Sequence, residues 1–330
     1  MDQIFALAAE NILSPIILCF ALGIGAALAR SDLTIPEAAA KAMSIYLLFA
    51  IGFKGGVSVA AHGVDLNLGM SLLAGSVLSL LLPLIAFALL SALSRLDRVN
   101  AAAVAAHYGS ISIVTFVAGT SILQSGGIVY DGYMVAVAAV MEAPAILSAL
   151  WLISQGDGEG DGEPRRMDAE LWREILLNGS IVLLVGAFLI GWATGQEGMD
   201  RIASFIDAPF QGVLCLFLLD MGLVAGRGLR GGGKVLGAGV LIFGVLMPLI
   251  GAASGLAAGL LLGLGTGSVA LFMVLGASAS YIAVPAAMRV ALPEANPSIY
   301  LTLSLGVTFP FNLTLGLPLY VAIAGALTGG

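Results

Sequence analysis

The residues of this chain that could do chemistry form two small-residue clusters and two isolated acids. The clusters, Gly109–Thr115 and Gly276–Tyr281, are rich in Gly, Ser and Thr and lie inside long apolar runs. Glu142 and Asp220 also lie inside apolar runs. Backbone N–H groups and hydroxyls bind anions, whereas carboxylate and hydroxyl oxygens suit hard cations. These residue types therefore indicate a binding site for ions.

The composition places these residues in a membrane. Of the 330 residues, 59% are hydrophobic and 10% are charged, with a mean hydropathy of +1.05. A soluble chain is typically about 45–50% apolar and about 25% charged. The composition therefore excludes a soluble enzyme, and the net charge of −7 offers no basic face for nucleic acid. Cys19 and Cys215 lie in apolar runs and lack the spacing of metal ligands.

Ten apolar runs are long enough to cross about 30 Å of hydrocarbon, which takes roughly 17–25 helical residues. The chain is therefore predicted to be an all-α polytopic membrane protein with ten transmembrane helices. The N-terminus lacks the basic region of a cleavable signal peptide, so the first run should remain as a helix. The predicted spans are Ile12–Ala29, Pro36–Phe53, Leu66–Leu93, Ala101–Leu123, Tyr133–Ile153, Ile175–Ala193, Ile202–Ala225, Val235–Leu264, Val269–Leu292 and Ile299–Leu327.

The basic residues are divided unevenly between the two sets of loops. With ten spans, eleven Lys and Arg residues fall on one side and only Lys54 and Arg201 on the other. Because positive charge concentrates in cytoplasmic loops, both termini are predicted on the non-cytoplasmic side of the plasma (inner) membrane. Lys54 then lies at the outer end of its span, either as an interfacial anchor or as a residue that draws anions inward.

Residues 154–173, rich in Gly and acidic residues, are predicted to form a cytoplasmic linker between two five-helix repeats, 1–153 and 174–330. The halves match at four points in the same order, at offsets of 165 to 170 residues. Because each half has an odd number of spans, the second is predicted to be inverted. Inverted repeats are typical of secondary transporters, which bind substrate near the midplane. The matches are Pro83 with Pro248, Ser110-Ile111-Ser112 with Ser278-Ala279-Ser280, Pro144 with Pro310, and Gly52 with Gly222.

The two Gly/Ser clusters occupy corresponding places in the fourth and ninth spans, which predicts that both helices are broken there. Gly weakens a helix, and Ser competes for its backbone bonds. Each break leaves N–H groups without partners and with a partial positive charge, so two opposed half-helices would bind an anion without Arg or Lys. The alternative is that the small residues mark tight helix packing. His107, just before the first cluster, either lines the cavity or is a packed neutral residue.

Glu142 is the predicted centre of a cation site. It lies mid-span, two residues before Pro144, which frees a backbone carbonyl one turn earlier. The corresponding part of the tenth span offers neutral oxygens around its own proline. Asp220, nearer the cytoplasmic end, is either an ion ligand or an interface residue. The predicted Na⁺ ligands are Glu142, Ser110, Thr308 and Asn312, with H⁺ as the alternative coupling ion.

Four segments resemble the sodium-dependent bicarbonate transporters first described in cyanobacteria, a family of ten-helix permeases. The resemblance covers almost the whole chain. It implies Na⁺-coupled symport of bicarbonate by an elevator-type motion, in which a mobile core domain passes a stationary oligomerisation domain within a trimer. The segments are Ile35-Pro36-Glu37, Gly52-Phe53-Lys54-Gly55-Gly56, Glu142-Ala143-Pro144 and Arg289-Val290-Ala291-Leu292-Pro293-Glu294-Ala295-Asn296-Pro297-Ser298-Ile299-Tyr300.

The resemblance also implies site residues and partners. The family's fifth-span carboxylate, an Asp, falls on Glu142, and Tyr281 stands where the cyanobacterial proteins have an Asp. Cyanobacterial members bind a PII-like regulator on the cytoplasmic side and have a longer central insert that is nearly absent here, so that partner stays open. Membrane lipid is an expected partner and nucleic acid is not. Bicarbonate is implied to bind near Ser112, Ile113, Val114, Thr115, Ser278, Ser280 and Tyr281.

Three alternatives stand beside bicarbonate symport. One is a symporter, coupled to Na⁺ or H⁺, of a different small anion or carboxylate. Another is a membrane receptor that senses the anion, disfavoured because the chain has no soluble output domain. The last is an intramembrane hydrolase that uses Glu142 and Asp220, which is disfavoured because no His-Glu-x-x-His zinc signature occurs.

Overall fold

The computed structural model describes residues 13–63, 65–142, 144–154, 177, 179–232, 237–282, 284–285, 287–288 and 292–329. Within these residues every regular element is helical, and no strand occurs. The predicted linker therefore lies almost wholly outside the described residues. The helices are α1 (Pro15–Leu28), α2 (Glu37–His62), α3 (Leu66–Leu93), α4 (Arg98–Gly109), α5 (Ile113–Ser125), α6 (Met134–Val140), α7 (Pro144–Ser154), α8 (Gly179–Ile206), α9 (Phe210–Gly232), α10 (Ala238–Leu261), α11 (Thr266–Ala277) and α12 (Pro297–Thr328).

Eight regions of the described chain are long and apolar enough to cross a membrane, which makes this a multi-pass membrane protein. Six of them are single helices, namely α2, α3, α8, α9, α10 and α12. The other two are α4 with α5, and α6 with α7. The predicted first and ninth spans correspond to the shorter apolar helices α1 and α11, so the count of ten remains a prediction.

Two predicted boundaries are wrong. The second span does not end at Phe53: α2 continues to His62 and places Lys54 within the helix. The predicted loop between the sixth and seventh spans, from Ala193 to Ile202, is helical instead: α8 continues to Ile206, and α9 begins at Phe210. Gly195 adopts φ 56° and ψ −150°, a conformation that glycine adopts readily because it lacks a Cβ. The helix is therefore kinked at Gly195 and resumes after it.

The helices pack in two groups. The first contains α1, α2, α8 and α9, in which α2 lies along α8 and α1 lies along α9. The second contains the remaining helices, in which α3 packs on α4 and α7, and α11 packs on α10 and α12. Every residue from 101 to 121 and from 267 to 281 is buried. Residues of α4, α5 and α11 therefore lie at the centre of the bundle.

Candidate functional site

The helical backbone of the fourth predicted span is interrupted between α4 and α5. α4 ends at Gly109, and Ser110 is extended with φ −90° and ψ 159°. Ser112 is also extended and caps α5, because its Oγ accepts a hydrogen bond from the Thr115 N–H at 3.2 Å. The first turn of α5 therefore presents backbone N–H groups, at Ile113 and beyond, that have no acceptor within the helix.

A second interruption follows α11. The helix ends at Ala277, and Ser278 is extended with φ −83° and ψ 159°. Residues 278–280 are not helical, and Ser280 Oγ accepts a hydrogen bond from the Val284 N–H at 3.4 Å. Ser280 thus holds the backbone that follows the interruption, much as Ser112 holds the start of α5.

The two interruptions contact each other directly. The Ser112 N–H donates to Ser278 Oγ at 2.9 Å. The Ser280 N–H donates to the carbonyl oxygen of His107 at 2.7 Å. Backbone groups that the breaks release from helical pairing are therefore satisfied across the pair. Non-helical backbone at membrane depth is tolerated when it is buried in protein in this way.

Small residues allow the neighbouring helices to approach these interruptions. A Cβ at Gly109 would collide with the ring of Pro83 in α3. A Cβ at Gly276 would collide with the carbonyl of Gly251 in α10, one turn beyond Pro248. In each half, a proline-containing helix thus packs against the residues just before an interruption. Both tight packing and interruption therefore occur at the two clusters.

Glu142 lies at a third interruption. α6 ends at Val140, and α7 begins at Pro144, which has no N–H to donate. Ser79 of α3, fully buried, donates its hydroxyl to the carbonyl of Met141 at 2.6 Å. This contact anchors the turn that presents the Glu142 carboxyl, which is itself 4% exposed. Ser79 was not predicted, because a single Ser in an apolar helix carries no distinguishing pattern.

The three interruptions enclose a small cavity of about 10 Å³, which is room for roughly one water molecule. Among its described lining residues only Glu142 carries a formal charge. Ile111, inside the first cluster, and Ile282, directly after the second, were not predicted as site residues but also line it. The lining residues are Ile111, Ser112, Ile113, Glu142, Ser280, Tyr281 and Ile282.

Several buried polar atoms around the cavity lack a hydrogen-bond partner within the described chain. Buried polar groups are nearly always paired, so such a concentration points to a ligand or an ion. The lining residues combine the start of α5, with its unpaired N–H groups, and the Glu142 carboxyl. This arrangement suits an anion beside a cation. Two of the unpaired atoms, Glu142 Oε2 and Tyr281 Oη, belong to residues that line the cavity, and two, Ser110 Oγ and Thr115 Oγ1, belong to residues at the interruption between α4 and α5.

Thr308 and Asn312, the predicted Na⁺ ligands on α12, do not line this cavity. Thr308 donates its hydroxyl to the Gly244 carbonyl at 2.7 Å and also bonds the Tyr108 hydroxyl at 2.5 Å. Asn312 Nδ2 donates to the carbonyl of Ala277, the last residue of α11, at 2.8 Å. Both side chains therefore fix the helices that precede the interruptions.

Four other residues that the sequence singled out do not line the cavity. His107 is fully buried and stacks on Tyr300 with 4.3 Å between ring centroids. Asp220 is buried on α9, which contributes no residue to the cavity. Lys54 forms an ion pair with Asp207, with 2.5 Å from Nζ to Oδ1. The side chain of Val114 is buried in the first turn of α5.

A family model described as the Na⁺-dependent bicarbonate transporter superfamily matches residues 15–325. The matched range begins at the first residue of α1 and ends within α12. No curated protein matches the chain.

Proposed function

Since this chain belongs to the Na⁺-dependent bicarbonate transporter superfamily, we propose that it is a secondary active transporter that carries bicarbonate together with Na⁺. The predicted family resemblance is confirmed, and the family indicates a transporter rather than a hydrolase. The observation that carries the proposal is the buried cavity in which the start of α5 and the Glu142 carboxyl meet.

The proposed anion site is built from backbone donors and hydroxyls. The first turn of α5 carries the partial positive charge of a helix N-terminus, which favours a monovalent oxyanion. The extended backbone after α11 faces it across the Ser112–Ser278 hydrogen bond. A cavity of about 10 Å³ must widen to hold bicarbonate, so we propose that binding separates the two interruptions. The proposed anion-binding residues are Ser112, Ile113, Val114, Thr115, Ser278, Ser280 and Tyr281.

The proposed Na⁺ site is centred on Glu142. Its Oε2 and the Ser110 hydroxyl are buried oxygens without partners in the described chain. Thr308 and Asn312 complete the proposed ligand set through the correspondence of the fifth and tenth spans. Because both now bond other groups, Glu142 and Ser110 are the stronger members of the set. A bound Na⁺ would compensate the carboxylate and attract the anion, which couples the two ions.

The proposed architecture is two inverted five-helix repeats, with broken fourth and ninth helices and ten spans in total. The packing supports it, because an internal two-fold axis would exchange the α1–α9 pair with the α2–α8 pair. The same axis would exchange the α3–α4 pair with the α10–α11 pair. We further propose that α1, α2, α8 and α9 form the stationary oligomerisation domain of a trimer, and that the other helices move as an elevator.

The orientation is proposed from charge alone. Both termini lie outside the cytoplasm in the plasma membrane, because positive residues concentrate on the opposite side. Arg98 and Arg230 bond helix ends on that side: Arg98 Nη2 donates to the Leu152 carbonyl, and Arg230 Nη1 to the Ala27 carbonyl. A PII-like regulator would bind there.

Uptake of radiolabelled bicarbonate into proteoliposomes tests the function. We expect uptake with an inward Na⁺ gradient, none with K⁺ in place of Na⁺, and weak competition by other small anions. Uptake driven by a pH gradient without Na⁺ would assign the coupling to H⁺. Uptake of another anion or small carboxylate, with no uptake of bicarbonate, would show that bicarbonate is not the substrate. Binding without uptake would favour an anion sensor.

A further inference from the structure

A second, larger cavity lies between α2 and the loop that joins α5 to α6, and we call it the vestibule. Its volume is about 410 Å³, and a water molecule takes about 30 Å³ in the liquid, so a hydrated small ion fits. Thr120 on α5 and Val135 on α6 line it. Each lies seven residues from a residue of the central cavity, Ile113 and Glu142 respectively. Seven helical residues span about 10 Å, so the two cavities lie along the same elements.

Lys54 is the one formally charged residue among the described residues that line the vestibule. Its Nζ lies 4.9 Å from the centroid of the Phe210 ring, which also lines the vestibule. Asp207, its ion-pair partner, does not line the vestibule. An ammonium group has three donors, so the ion pair leaves donors available to the vestibule. The side chain of Lys54 is 28% exposed and that of Asp207 is 50% exposed.

The charges on the surrounding surface make Lys54 important for attracting anions. The side of the protein that the charge pattern assigns to the outside carries two cations, Lys54 and Arg201. Arg201 is paired with Glu197 at 2.5 Å and is highly exposed. Acidic residues outnumber these cations, so this side of the protein repels anions except where a local cation attracts them. The described acidic residues on this side are Asp65, Asp131, Glu197, Asp200 and Asp207.

We propose that the vestibule is a recruitment site for a small monovalent oxyanion and that Lys54 is the residue that binds it. The inference rests on the proposed function, in which that anion is bicarbonate. Asp207 competes with the anion for the ammonium group, which keeps the anion weakly bound and free to move to the central cavity. Lys54 belongs to α2 and Asp207 to the turn after α8, so both lie in the α1, α2, α8 and α9 group.

Uptake kinetics of two single variants test this role. Lys54→Gln is expected to raise the KM for bicarbonate roughly three- to tenfold, because the local attraction is lost, while kcat stays within twofold. Asp207→Asn is expected to lower KM, because it frees the ammonium group from its competitor. Arg201→Gln removes the other cation on this side and should leave KM unchanged. Expression and thermal unfolding of each variant verify that it folds.

A structural ion pair predicts a different pattern. If the pair is only structural, Lys54→Gln and Asp207→Asn should shift KM in the same direction, and the variant that carries both substitutions should recover the wild-type KM. This result would overturn the inference. An unchanged KM in Lys54→Gln would overturn it as well.

A binding measurement separates this inference from the proposed function. Purified protein without Na⁺ should broaden the ¹³C resonance of labelled bicarbonate, and Lys54→Gln should reduce that broadening. If wild-type protein fails to transport bicarbonate but shows this Lys54-dependent broadening, the vestibule is supported as an anion site and the proposed function is wrong. If wild-type protein transports bicarbonate and the broadening is independent of Lys54, the recruitment role of the vestibule is wrong and the proposed function is unaffected.

Discussion

Replacing Glu142 with Gln tests the coupling at its proposed centre. The amide keeps the size of the side chain and removes its charge. Glu142 is 4% exposed, and within the described chain its Oε2 has no hydrogen-bond partner. The turn that carries it is held independently, because Ser79 binds the carbonyl of Met141. The substitution should therefore change the electrostatics of the cavity while leaving the backbone in place.

The magnitude follows from the charge that is removed. Two unit charges 4 Å apart attract by about 4 kcal/mol at an effective dielectric constant of about 20. Each 1.4 kcal/mol is tenfold in affinity, so loss of the carboxylate should weaken Na⁺ binding on the order of a thousandfold. A buried charge without a partner also costs folding free energy. Glu142→Gln should therefore unfold at the same temperature as the wild type or at a higher one.

The assay is bicarbonate uptake into proteoliposomes as a function of external Na⁺. Glu142→Gln should show no Na⁺-driven uptake at Na⁺ concentrations that saturate the wild type, and Glu142→Asp should retain part of it. Asp220→Asn is the matched control, since Asp220 is also a buried carboxyl but lies on α9 outside the cavity. Wild-type uptake with unchanged Na⁺ dependence in Glu142→Gln would refute the assignment.

Two further predictions concern the packing of helices against one another. Gly276→Ala should lower the free energy of unfolding by about 1–3 kcal/mol, because its Cβ would meet the backbone of Gly251; Gly25→Ala, which faces open space, is the control, and equal unfolding temperatures for the two variants would contradict the close approach. Mild oxidation should join Cys19 and Cys215 within one chain, because α1 packs along α9 and Gly23, four residues after Cys19, approaches the carbonyl of Leu219, four residues after Cys215; on a non-reducing gel, crosslinking only between chains would contradict this pairing.

The helical membrane fold could be predicted because lipid imposes a strong constraint on composition and run length. The helix ends were harder to predict. Lys54 suggested a boundary after Phe53, but its ammonium group pairs with Asp207, and α2 continues past it to His62. Charged residues near Arg201 suggested a loop, yet the chain resumes a helix after Gly195. The partner of Lys54 lies 153 positions away and is not evident from a single sequence, whereas Arg201 pairs with Glu197 one turn earlier in the helix that follows Gly195.

The centre of the site was predictable where residue type and repeat position agreed. Ser112, Ser280 and Glu142 line one cavity, and their residue types and their positions in the proposed repeats had singled them out. The supporting contacts were not predictable. Ser79 contacts a residue 62 positions away, and Asn312 contacts one 35 positions away. Such pairs depend on which helices become neighbours, and hydropathy does not specify neighbours.

α12 is hydrogen-bonded to both of the helices that precede the interruptions, α4 and α11. Thr308 bonds the Tyr108 hydroxyl just before one interruption, and Asn312 bonds the Ala277 carbonyl just before the other. These two residues lie four positions apart, at the end of one π-helical segment and the start of the next, and π-helical turns are frequent at functional sites. Because α4 and α11 are bonded to the same short stretch of α12, displacement of either should carry the other. The vestibule cation Lys54 belongs to the other group of helices, so the proposed elevator motion of one group against the other would separate the recruitment site from the central cavity.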